Sequence, residues 1–418
     1  MKDYGYCYGV LLRVVIEGEP FNNAVQIILS ENEKKLIDPK LKSTVFAVVG
    51  STLRHYYVLK EVITRQYKDI SEEHMLLIAL GIANKLFAKR FDKVKLNQFI
   101  VKETNLAGAP MFIECFQDPK NLIPDDIKYG TRKYYSLRYN IPEWVVDMWA
   151  AHGGDLVSKK LYHCLTNRVE NIVRINEYVI EPEDFFHKYR DFAPFNNDNL
   201  IAQYRKDAPV KKHQCVLEGE ALRIPLAYRR MCKYLSFELG KKTAIFSSGT
   251  NHILEEFYAH MGPAFKAQYI SGHHGHTNEV KDIIQKYGMT DIDLIEKEYE
   301  NMGEVISEPV HTFFVCPRSS FLLGLYERAD HFLRVHKEDI PVIAEREYKT
   351  LEEASKFVEP GGELIYFVTT FCNDECRKIT KRFIQEHKEY EHIAEKQMFP
   401  FDKYQTLLYF SVFKRKDK

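Results

Sequence analysis

The residues best able to do covalent chemistry sit at the ends of short apolar runs. His311-Thr-Phe-Phe-Val-Cys-Pro-Arg-Ser-Ser320 is an apolar stretch of strand length that stops at Pro317 and opens into small polar residues. This is how the carboxyl end of a parallel strand meets a functional loop. Cys316 lies at that junction, and Cys372 follows a second such run that ends in Thr369-Thr370. Either cysteine is a nucleophile only as a thiolate, and a threonine hydroxyl needs an adjacent base, which the sequence does not supply. A third run, Thr243 to Ser247, leads into Ser248-Gly249-Thr250, where the glycine would let backbone approach a ligand; an ordinary capped turn reads the same way. A fourth ends at Ser271 and continues as Gly272-His273-His274-Gly275-His276. Three histidines can ligate a metal, but no cysteine or carboxylate cluster of zinc spacing accompanies them, so a solvated loop is the simpler account and no metal site is expected.

These runs belong to an alternating pattern that begins near Leu222. Strand candidates are 243–247, 267–271, 291–295, 312–315, 363–368 and 407–413, separated by helical stretches such as His276 to Tyr287 and Glu345 to Val358. Strands alternating with helices predict an α/β domain over 222–418, with a mostly parallel sheet covered on both faces and a terminal hairpin from His392 to Phe413. Residues 1–125 read instead as helical throughout, with apolar positions at three- and four-residue spacing in 8–16 and 24–29 and further helices at 43–66 and 71–87, the last capped by Ser71. A loop-rich joint from Pro119 to Arg132 separates them from a smaller region over 133–215.

The order of several short motifs resembles the Sun/RsmB branch of the RNA (cytosine-5) methyltransferases. Pro142-Glu-Trp144, then a helix, then Val173-Arg174-Ile175-Asn176 follow the family's Pro-x-Trp and Arg-x-Asn segments; Pro360-Gly361-Gly362 and Asn373-Asp-Glu375 echo two later ones. The resemblance implies a helical N-terminal domain similar to the antitermination factor NusB, a small linker domain that contacts RNA, and a Rossmann-like methyltransferase domain. Phe46-Ala-Val-Val-Gly50-Ser-Thr-Leu53-Arg54 matches the family's Gly-x-x-x-Arg stretch loosely. Against the family's reactive positions the chain reads differently. Val315 stands where an acid would face the target base, Arg318 where a cysteine would assist product release, and Thr369 where the nucleophilic cysteine would be. Ser247 and Gly249 occupy the turn for the methionine part of S-adenosylmethionine, and Ser271 the place of the ribose acid. The resemblance therefore implies a degenerate member that binds RNA without a cofactor. Cys316 and Cys372 are the displaced candidates if the chain is instead an active enzyme that uses S-adenosylmethionine, and a protein-interaction module is the third reading.

Composition narrows the partners. The 418 residues carry 59 Lys+Arg against 59 Asp+Glu, so any nucleic-acid surface must be a local patch. Arg54, Lys89, Arg90, Arg174, Lys211 and Lys212 are the candidate RNA contacts, with ribosomal RNA the expected partner and DNA not expected. No apolar stretch reaches membrane-spanning length, and eight cysteines without a paired framework fit a cytoplasmic setting.

Overall fold

The computed structural model describes residues 3–30, 39–166, 171–206, 208, 210–235, 240–250, 252–262, 265–323 and 328–417. The chain divides into two compact units, Met1–Asn167 with Leu322–Lys337, and Arg168–Phe321 with Glu338–Lys418.

The first unit is helical. The helix Glu72–Ala83 is buried from Met75 to Ala83, so it is apolar all round and serves as the centre on which its neighbours pack. Ser71 caps it by accepting from the His74 N–H at 3.2 Å. The single helix expected over 43–66 is two, Pro39–Arg54 and Tyr56–Gln66, because His55 leaves helical geometry (φ −123°, ψ 17°). Its ring stacks on Phe87 at 3.8 Å. The break frees two backbone groups, and one distant side chain takes both: Asn140 donates to the Leu53 carbonyl and accepts from the Tyr57 N–H, each at 2.9 Å. The core of this unit runs past residue 125, with Leu137 and Ala329 buried in it. Among the described residues no helix is long and apolar enough to cross a membrane.

The second unit holds two sheets. The smaller is antiparallel, in the order β2-β3-β1-β4, with β1 Ile172–Ile175, β2 Phe192–Phe195, β3 Asp198–Tyr204 and β4 Ala221–Leu222. The larger has seven strands in the order β10-β11-β9-β8-β5-β6-β7: β5 Thr243–Ser247, β6 Ala267–Ser271, β7 Ile292–Glu296, β8 Val310–Cys316, β9 Val358–Val368, β10 Tyr390–Met398 and β11 Leu408–Arg415. Strands β5 to β9 pair in parallel and β9, β11 and β10 antiparallel. This is the expected Rossmann-like sheet with a terminal hairpin. Alternation puts Ile245, Phe314, Cys316, Ile365 and Phe367 on one face with the helices Leu226–Cys232 and His252–Met261, and Phe246, Phe313, Val315, Leu364 and Tyr366 on the other with Asp339–Ser355 and Arg377–Glu386.

The Pro360-Gly361-Gly362 turn lies inside β9, where the register with β8 shifts. Gly361 takes φ 78°, which a side chain disfavours. Gly362 is required for a different reason: a Cβ there would lie 2.5 Å from the His311 carbonyl oxygen and 2.9 Å from that of Glu359. Both obstacles are backbone and cannot swing aside. Gly362→Ala should lower unfolding free energy by about 1–3 kcal/mol in urea denaturation; an unchanged midpoint would show that β9 relaxes around the added carbon.

Candidate functional site at the carboxyl edge of the sheet

The order of the large sheet reverses between β5 and β8, since β6 and β7 extend to one side of β5 and β9, β11 and β10 lie beyond β8. Ligands of such sheets bind in the crevice at that point, outside the carboxyl ends of the strands. Ser247 and Cys316 are paired there as the last residues of β5 and β8.

Here two loops of the chain meet at that edge. The ladder runs one residue further, with the Ser248 N–H donating to the Cys316 carbonyl at 3.0 Å, and the Arg318 N–H then donates to the Ser248 hydroxyl at 3.0 Å. Gly249 faces the same loop so closely that a Cβ would sit 2.8 Å from the Pro317 oxygen and 3.3 Å from the Cys316 sulfur. The glycine thus serves contact between two loops of the chain. Ser247 is buried and closes its own turn, donating to the Thr250 carbonyl at 2.6 Å and accepting from the Thr250 N–H at 3.3 Å. Ser271 is buried as well. Its hydroxyl donates to the His273 carbonyl at 3.2 Å and accepts from Thr277 Oγ1 at 2.9 Å, so its single proton has an internal use.

The histidines that follow have separate roles. His273 caps the helix His274–Tyr287, its Nδ1 accepting from the N–H groups of Gly275 and His276. His274 pairs with Glu296 at 3.0 Å. His276 lies 2.9 Å from the Tyr269 hydroxyl, and burial holds its pKa down at about 4.

The loops after β8 and β9 meet. Ser319 Oγ is 3.5 Å from Thr369 Oγ1 and Ser320 Oγ is 2.9 Å from Thr370 Oγ1. The structure therefore brings the Arg318 loop and Thr369 together, with Val315 buried in the sheet and Arg318 exposed at the surface. Neither cysteine is prepared for attack. Cys316 is buried beside Ser247 and its thiol is pushed up to about 12, and burial also raises Cys372. An activated thiolate needs the opposite shift.

Beneath these loops lie two carboxyl groups, Glu375 of the Asn373-Asp-Glu375 segment and Glu347, which the sequence did not single out. Glu375 accepts from the Ser320 hydroxyl at 2.6 Å and from the Ser320 N–H at 2.7 Å. Glu347 is fully buried on the helix Asp339–Ser355, and burial next to Glu375 raises its pKa well above the ordinary range. The Tyr366 hydroxyl donates to the Glu375 carbonyl at 2.7 Å and lies 3.2 Å from Glu347 Oε2. The phenol is thus shared between the Glu375 carbonyl and Glu347, whereas the Glu375 carboxyl group holds two donors from Ser320. The signal for Glu347 was present: it sits with Ile340, Ala344, Leu351 and Ala354 at helical spacing, an acid in an apolar stripe.

The candidate basic residues are distributed differently. Arg54, Lys89, Arg90, Lys211 and Lys212 are exposed. Arg54 folds over Gly50, its Nη1 lying 3.0 Å from where a Cβ would be. Arg174 is buried, donating to Glu256 and to the Ala259 carbonyl at 2.7 Å each, and Asn176 donates to the Gly219 carbonyl at 2.8 Å. The Arg-x-Asn segment therefore ties the small sheet to the helix His252–Met261, and Arg174 is spent internally.

No protein-family profile and no curated protein match the chain. Solved structures do. The protein PH0851 superposes with a TM-score of 0.71 at 12% identity, over 98% of each chain. A methyltransferase homolog protein from Pyrococcus horikoshii gives 0.57 at 11%, over 69% of this chain and 100% of that one. NSun6 from the same organism, solved with SFG, gives 0.58 at 10%, over 66% and 98%. The chain shares the fold of these proteins.

The Glu347–Glu375 pair makes a pH test. Because both folded-state pKa values are raised, the native state holds more protons than the unfolded one above the ordinary glutamate range, so stability is greatest below that range and falls as pH rises. Glu347→Gln removes the titrating group and should flatten the fall, raising the melting temperature at pH 8 relative to wild type more than at pH 5. An equal shift at both values would mean that Glu347 does not titrate differently on folding.

Proposed function

We propose that this chain is a methyltransferase-like protein that has lost methyl transfer and acts by binding RNA, with ribosomal RNA the expected partner. The observation that carries the first half is the joining of the loops after β5 and β8, where Arg318 bonds to Ser248 and the Pro317 oxygen stands against Gly249. The backbone freedom that a cofactor would need at Gly249 is used to pack one loop on another. Ser271, in the place of the ribose acid, cannot accept from two hydroxyls as a carboxylate does. At the reactive edge the Thr369 hydroxyl meets that of Ser319, and among the described residues no base is hydrogen-bonded to it. The fold shared with a methyltransferase homolog protein and with NSun6 supports the kinship and leaves the chemistry to the residues.

The RNA half rests on the exposed basic residues. Lys211 and Lys212 are exposed and directly precede His213, whose ring is held among those of Tyr189, Phe192 and Tyr204. Exposed lysines on an anchored segment suit phosphate contact. On this reading residues 1–125 are a helical domain, 133–215 the RNA-contacting part and 222–418 the methyltransferase-like domain. A reducing, cytoplasmic setting fits the eight cysteines, none of which is in a disulfide.

Calorimetric titration with S-adenosylmethionine should give no measurable heat at physiological concentration, and RNA carrying 5-azacytosine should trap no adduct. Low-micromolar binding would overturn the inactive reading. An adduct lost on Cys372→Ser or Cys316→Ser would replace it with an enzyme that uses a displaced cysteine.

Filter binding to structured ribosomal RNA fragments should weaken steeply from low to moderate salt. Replacing Lys211 and Lys212 by Glu should reduce it further, by about tenfold. Absence of binding at both salts would favour a protein partner.

A further inference from the structure

The expectation of no metal site was drawn from the histidines at 273–276. A different group has the right chemistry. The helix His252–Met261 carries Glu256 and His260 one turn apart on the same face, and Cys232 ends the helix Leu226–Cys232 that packs beside it. The sulfur of Cys232, a carboxylate oxygen of Glu256 and a ring nitrogen of His260 all lie within 4.8 Å of one another. Thiolate, imidazole and carboxylate are the zinc donor set.

Two further observations point to a ligand. Glu256 is fully buried, and only one of its oxygens is served: Oε1 accepts from Arg174 Nη1 at 2.7 Å and lies 3.0 Å from His260 Nε2, whereas Oε2 is buried with no hydrogen-bond partner. A buried carboxylate oxygen left without a donor is costly, and native structures seldom keep one without a reason. The surrounding charge is also out of balance. Arg174 and Arg229 are the cations. Glu256 pairs with the first, Asp198 with the second at 3.0 Å, and Glu177, exposed at the surface, acts on Arg174 through space. With Cys232 as a thiol the group therefore carries one net negative charge. A divalent cation that displaces the thiol proton to solvent brings it to neutrality, despite the two arginines.

We propose that Cys232, Glu256 and His260 form a three-ligand zinc site, open at its fourth position on the solvent side marked by the exposed His260. The ligand atoms lie within 4.8 Å of one another, against edges of about 3.3–3.8 Å for a tetrahedral zinc centre with bonds of about 2.0–2.3 Å. The exposed imidazole of His260 is the ligand best able to adjust. Because Glu256 also holds Arg174, zinc would brace the clamp between the small sheet and the helix His252–Met261 in addition to joining the two helices.

The full-length protein, stripped with a chelator and titrated with Co2+, should show a thiolate-to-cobalt charge-transfer band in the near ultraviolet that equimolar Zn2+ abolishes. Cys232→Ser should remove the band and weaken Co2+ binding by about 100-fold or more, and His260→Ala should weaken it by about tenfold or more while keeping the band. His260 is exposed, so its variant is expected to fold, and circular dichroism checks both. Failure of the wild type to show the band overturns the proposal, as does Zn2+ binding that survives in the folded double variant.

Discussion

The carboxyl edge of the large sheet depends on the burial of two carboxyl groups side by side. Glu375 is tolerated there because Ser320 presents both its N–H and its hydroxyl to it. Glu347 is tolerated because it keeps its proton, as desolvation and its neighbour require. Hydrogen bonds to a charged acceptor contribute about 1.5–3 kcal/mol each, and withdrawing the acceptor would leave a buried N–H unsatisfied. Ser320 is therefore fixed. Through it the loop after β8 is fixed against Thr370, and Ser319 against Thr369. The same loop carries Pro317 and Arg318 back onto Ser248 and Gly249, so the position of the crevice between β5 and β8 is set from below by a pair of acids.

This arrangement gives the small polar residues clustered at the edge a structural use. Each hydroxyl already has a partner within the chain: Ser247 with Thr250, Ser271 with His273 and Thr277, Ser320 with Glu375. A catalytic hydroxyl needs a base and an open approach for substrate. Ser247 and Ser271 bond to carbonyl and hydroxyl groups, and Glu375, the carboxylate that meets Ser320, is buried with it, so these bonds give the loops a defined geometry.

Much of the fold was legible because it follows from periodicity. Thr243–Ser247 and Ala267–Ser271 are strands at the expected residues, since each is an apolar run bounded by polar turns and buried on both faces. Less visible were features fixed by partners far away in sequence. The break at His55 is held open by Asn140, and no local propensity announces it. Arg174 read as a surface cation because it is an arginine, yet the four residues of β1 are all buried and Glu256 lies more than eighty positions away. At 360–362 Gly361 has a positive φ, a local demand that glycine meets. For Gly362 the reason is a passing carbonyl of β8, which only the pairing of strands supplies.

The same distinction bears on what a shared fold can mean at 12% identity. The two sheet faces are filled by alternation of apolar residues, and many combinations of similar volume satisfy that demand. Sheet order and helical cover therefore persist while nearly every side chain changes. The loops beyond the carboxyl edge are under no such demand. Arg318 is exposed and Ser319 only partly buried, so side chains there can differ with the strand beneath unchanged, provided the new groups find partners. Chemistry at this edge is therefore decided residue by residue, and the bonds among Ser248, Arg318, Ser320 and Glu375 are more informative about it than the superposition of the whole chain.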